Sequence, residues 1–111
     1  KDYGGIKVDI REYIEKQTRL PTADVVFTKE QPLPYIAVID NTSGDGDDYH
    51  TRLIKHDLTV EFYAAKIDAA NEQKLELAFA KQGWKMARER VWLNEEKMFE
   101  TIYSTEFIEK R

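Results

Sequence analysis

"RLIKHDLTVEFYAA", residues 52–65, alternates between two kinds of side chain over a full strand length. His56, Leu58, Val60, Phe62 and Ala64 fall on one side, and Asp57, Thr59, Glu61 and Tyr63 on the other, because successive strand side chains point to opposite faces. Such a pattern marks a half-buried strand, one face toward a core and one toward water. The rest of the chain must therefore supply strands to flank it and helices to cover its apolar row.

Downstream, Asp68 is placed to cap the helix "AANEQKLELAFAKQ", in which Leu75, Ala78 and Phe79 form an apolar stripe and Gly83 stands at the C-terminal cap. "WKMARERVWLN" (84–94) and "KMFETIYSTEFIEK" (97–110) read as two strands joined by a turn at "EEK". In the last of these, Phe99, Tyr103 and Phe107 share one face, and Met98, Ile102 and Ile108 share the other. Upstream, "ADVVFT" (23–28) and "YIAVID" (35–40), separated by "QPLP", read as strands of a hairpin. Ile6, Ile10, Tyr13 and Ile14 predict a helix over residues 5–18, closed before Pro21. The expected order is α-β-β-β-α-β-β. This is a single α+β domain over residues 1–111, one largely antiparallel sheet with two helices packed on one face.

The segment "DNTSGDGDDYH", residues 40–50, holds four aspartates, two glycines and a histidine. An EF-hand loop needs glycine at its sixth position and glutamate at its twelfth. Counted from Asp40 those positions hold Asp45 and Thr51, and counted from Asp45 the sixth is His50, so no metal site is expected here. The stretch 41–52 reads instead as a solvated, flexible loop, and such a loop in a small domain points to function. Its candidate contact residues are Asn41, Ser43, Gly44, Asp45, Gly46, Asp47, Asp48 and Tyr49.

His50 and His56 lie six apart, which matches neither a helical pair nor a zinc spacing, so His56 reads as a hydrogen-bonded residue at the border of the core. Ser43 and Ser104 lack the G-x-S-x-G setting of a hydrolase nucleophile. Asp57 and Glu61 share a strand face, as a metal-dependent nuclease would require, but acids on an exposed face are ordinarily just solvated. Lys85, Arg88 and Arg90 beside Trp84 and Trp92 mix basic and aromatic side chains, yet strand alternation parts Lys85 from the two arginines. A packing or subunit face is the expectation there. No catalytic, cofactor-binding or metal residues are expected, and the chain is not expected to be an enzyme.

Composition agrees with a folded, well-solvated domain: 41% hydrophobic and 34% charged residues. Seventeen Lys and Arg against 21 Asp and Glu give a net charge of −4, which argues against a general nucleic-acid surface. The absence of cysteine excludes disulfides, thiolate zinc sites and a cysteine nucleophile, and is compatible with assembly in the cytoplasm. No apolar run approaches the roughly 20 residues that span a bilayer, so no membrane partner is expected. The chain starts at Lys1 without an apolar leader, which reads as a trimmed chain without a signal peptide.

Across residues 30–108 the element order and several local patterns resemble small tail-completion proteins of tailed bacteriophages and prophages. The carriers are Asp40 and Asn41 ending a strand, the "HDLTVEFY" of His56 through Tyr63, the Glu- and Lys-rich helix from Asn71 to Phe79, and "EKMF" from Glu96 to Phe99. These are patterns of element order and residue type, and none is a catalytic motif. That family is similar in fold to tail terminators, hexameric rings that cap the tail tube where the head connector docks. The resemblance implies a structural, non-enzymatic role in a virion, at the head-proximal end of the tail, after assembly in a bacterial cytoplasm. It implies a homo-oligomeric ring and contacts with tail-tube and head-connector or neck proteins. It also implies a lumen through which DNA passes without specific binding, and the 41–52 loop would order on docking. A head-closure or neck role, or a small α+β ligand-binding regulatory domain, stands as the alternative.

Overall fold

A computed structural model describes residues 9–27, 30–45 and 53–110. The alternating stretch is the middle strand, β3 (Leu53–Ala64), and it buries every second residue from Ile54 to Ala64. Ahead of it come α1 (Ile10–Thr18), β1 (Thr22–Asp24) and β2 (Tyr35–Asp45); after it come α2 (Ala69–Gln82), β4 (Ala87–Leu93) and β5 (Met98–Lys110). The sheet order is β1-β2-β3-β5-β4, so β3 is flanked on both sides. The fold is α+β with the expected element order.

Antiparallel register places opposed residues on one face. Ile36 stands opposite Phe62, Val38 opposite Val60, and across the other edge Val60 faces Tyr103 and Phe62 faces Thr101. These residues, with Leu58, form the floor on which Ile10 and Ile14 of α1 and Leu75 and Phe79 of α2 pack, so both helices cover the same side. The Tyr13 hydroxyl donates to the carbonyl of Ala78 at 2.7 Å and ties the helices together.

Both helices are capped as their sequences dictate. The Asp9 side chain accepts from the Glu12 N–H, and Asp68 accepts from Asn71 N–H. Gly83, at φ 76°, ends α2 in the left-handed region that glycine enters without strain. Among the described residues no helix is long and apolar enough to cross a membrane.

Two expectations are corrected. The segment 23–28 and β2 do not form a hairpin: β1 is only three residues long and runs parallel to β2. Val25 takes φ 67°, its N–H bonds to the carbonyl of Val38, and the chain leaves the sheet, exposing Val25 and Val26. The sheet is thus mixed, with three antiparallel pairings and one parallel. The second correction concerns residues 41–52. Asn41 through Asp45 continue β2, paired residue by residue with β3 as far as Asp45 opposite Leu53. Of the expected first helix, residues 10–18 are helical and residues 5–8 lie outside the described residues.

Truncation of Phe62, 1% exposed on the central strand, to Ala is expected to lower the unfolding free energy by about 3–5 kcal/mol. Loss of the Asp68 cap in Asp68→Ala is expected to cost about 1 kcal/mol. Urea unfolding of both variants checks this, and equal losses would mean that the core is not centred on β3.

Candidate assembly surfaces

Of the candidate contact residues, Asn41, Ser43, Gly44 and Asp45 form the outer end of β2, opposite Asp57, Lys55, Ile54 and Leu53 in that order. Asn41, Ser43 and Gly44 are exposed. Gly46, Asp47, Asp48 and Tyr49 lie outside the described residues, as does His50. The outer part of the sheet, β2, β3 and β5 side by side, helps make the molecule 51 Å long against 24 and 23 Å in its other dimensions. A paired strand end, rather than an irregular loop, presents the first of these residues.

His56 lies on the helix side of the sheet and is buried. Its Nδ1 lies 2.9 Å from Asp40 and its Nε2 lies 2.6 Å from Glu109, and its ring stacks on Phe107 at 4.4 Å. Phe107 in turn stacks on Trp84 at 5.2 Å. The two carboxylates sit at opposite ends of the imidazole and do not converge on one point as metal ligands must. Among the described residues no group of three or more His, Asp or Glu is placed to hold a metal ion. His56 is a satisfied polar residue at the border of the core, as its pattern suggests. Its partners, one on each of the two neighbouring strands, were not foreseeable from local sequence.

Arg88 and Arg90 share one face of β4, as alternation requires, and that face turns toward α2. Arg90 donates twice to the carboxylate of Glu72, at 2.6 and 3.1 Å, and Thr101 donates to the same carboxylate at 2.7 Å. Arg88 bonds Glu76 at 3.0 Å, and the Tyr103 hydroxyl donates to that carboxylate at 2.9 Å. Burial alone raises the pKa of Glu72, but the hydrogen bonds from Arg90 and Thr101 and the arginine charges outweigh it and hold the carboxyl below its ordinary range. The basic residues of this strand are consumed in fastening α2 to the sheet edge.

Among the described residues, no helix lies on the opposite face of the sheet. At its centre the Tyr63 hydroxyl lies 2.9 Å from Glu61 and 3.0 Å from Glu100, so one proton serves two carboxylates. Burial, then the neighbouring Glu61 and Glu89, raise the pKa of Glu100 despite the Tyr63 bond, and burial followed by the two carboxylates raises that of Tyr63. Among the described residues no Lys or Arg forms an ion pair with Glu61, Glu89 or Glu100. Asp57, the other acid proposed for a nuclease site, faces Glu106 across β5 and is exposed. Beside the cluster runs an open groove of about 720 Å³ with Val26, Tyr35, Leu93 and Met98 among its apolar walls. Among the described residues its charged lining is Glu30 and Glu96, both acidic.

No family model matches the sequence, and no curated protein is significantly similar to it. The fold, however, recurs in a virion. A chain from a structure of the virion of a native gene transfer agent particle superposes with a TM-score of 0.55 at 9% identity, over 88% of this chain and 84% of that one. The likeness is one of fold.

Removing the charge of Glu72 in Glu72→Gln is expected to cost about 1–3 kcal/mol at pH 7, since a buried charge-assisted bond to Arg90 is lost. Because the folded-state pKa of Glu72 is depressed, its contribution is present above the ordinary carboxylate range and fades in acid, so wild type and variant should converge below about pH 4. Glu100→Gln should behave oppositely. A raised folded-state pKa penalises the fold at neutral pH, so this variant should be the more stable at pH 7 and lose that advantage as pH falls. Urea unfolding from pH 3 to pH 8 reads both signs.

Proposed function

We propose that this chain is a structural protein of a phage or phage-like virion that caps the tail tube and joins tail to head as a hexameric ring. On this reading it works by protein-protein contact and not by catalysis. The observation that carries it is the likeness of fold to a chain in a gene transfer agent virion over most of both lengths. The resemblance of residues 30–108 to tail-completion proteins points the same way.

Physical features support assembly. β4 is an edge strand with no described strand on its outer side, and the other edge, β1, has three residues. Edges of this kind are templates for pairing with another chain. The net charge of −4 per chain makes a ring acidic, which lets DNA pass without adhering. The outer end of β2, from Asn41, projects residues for contact with a tail-tube or neck protein.

Light scattering over a concentration series, with and without polymerised tail-tube protein, checks the reading. Six times the 13.0 kDa chain mass, alone or on the tube, is the expected outcome. Co-sedimentation with connector rings but not with tubes would assign a head-closure or neck role. A monomer that binds neither would overturn both.

A further inference from the structure

The sheet face that no described helix covers holds a row of three side chains across three strands. Glu61 on β3 stands opposite Ile102 on β5, and Ile102 stands opposite Glu89 on β4. Strands lie about 4.8 Å apart, so the two carboxylates flank the isoleucine across about 10 Å. Neither forms an ion pair among the described residues.

On the far side of the molecule, the outward stripe of α2 holds Lys74, Leu77 and Lys81. Leu77 is 56% exposed, unusual for a leucine in the middle of a helix whose other large apolar residues, Leu75 and Phe79, pack inward. The three lie at i, i+3 and i+7, hence on one face, and the lysines are two turns or about 10 Å apart. Lys74 has no described partner, and Lys81 reaches only the half-buried Gln17, at 2.9 Å, among the described residues. Both rows read charge, aliphatic, charge at matching spacing and with opposite sign.

We infer that the occupant of the open sheet face is α2 of a second copy of this chain, lying across the strands with Leu77 on Ile102 and its two lysines on Glu61 and Glu89. This inference deepens the ring reading and rests on it only in that the chain assembles with itself. Because the two surfaces lie on opposite sides of one molecule, the contact is head-to-tail, the kind that closes into rings. It supplies the cation that the shared Tyr63 proton leaves wanting, and Glu100 and the acidic groove walls extend the same negative field.

The test uses two charge-reversed full-length chains, K74E/K81E and E61K/E89K, each first shown by circular dichroism and melting to keep the fold. Light scattering and sedimentation are then run on each alone and on their equimolar mixture, with tail-tube protein added if wild type needs it to assemble. Each variant alone should lose assembly, since it opposes like charges. The mixture should regain it, with the two chains alternating. Assembly of either variant alone at the wild-type concentration would overturn this interface and leave the ring reading standing. So would a mixture that stays monomeric while both variants are folded. A wild type that stays monomeric even with tubes would remove both.

Discussion

One strand with neighbours on both sides organises everything else. β3 gives its even-numbered side chains, from Ile54 to Ala64, to a single face, and β2 and β5 align their own buried residues with that row. A slip of one residue would turn Leu58, Val60 and Phe62 to water and bring Asp57, Thr59 and Glu61 under the helices. Register is thereby fixed for three strands at once. The helices then have one place to go, and the Tyr13 bond to Ala78 follows from their shared seat on that row.

The second constraint is electrostatic. β4 contributes no buried residue of its own, and its burial pattern is mostly exposed. It is held by β5 on one side and by its arginines reaching over to α2. A buried glutamate in a helix is costly unless it is paired and hydrogen-bonded, and Glu72 is both. The same sheet therefore has an electrostatically settled side, under the helices, and an unsettled one. On the latter two carboxylates share a phenol, and no described helix covers the half-buried Ile102.

What could be read from sequence was whatever repeats with a short period. The alternation of residues 54–64, the stripe of Leu75, Ala78 and Phe79, and the caps Asp68 and Gly83 are local, and all appear in the structure. The hairpin expected of residues 23–40 failed because a proline-marked break between two β-branched runs says nothing about direction. The left-handed Val25 and its bond to Val38 decided it, and β-branched residues do not advertise positive φ. Asn41 to Asp45 carry a loop-like composition because glycine and aspartate disfavour strands in isolation, whereas here continuous pairing with β3 overrides propensity. The site partners were least legible. Glu72 with Arg90, or His56 with Glu109, meet only through the sheet order, which no local pattern encodes.

The length of the β3–β5 ladder also bears on how the chain reaches this state. The rung nearest the helices, Ala64 with Phe99, closes the shortest loop of the ladder, and each rung outward, to Leu53 with Lys110, closes a longer one. Loop-closure entropy grows with that separation, and contacts far apart in sequence slow folding. β4 and β5, joined by a four-residue turn, close the shortest loop of the antiparallel pairings, and within the β3–β5 ladder the closure cost is least at Ala64 with Phe99 and grows toward the tip. The outermost rungs of that ladder, those beside Leu53, close its longest loops, so the part of the sheet that reaches furthest from the core is also the one whose β3–β5 pairing carries the largest entropic cost.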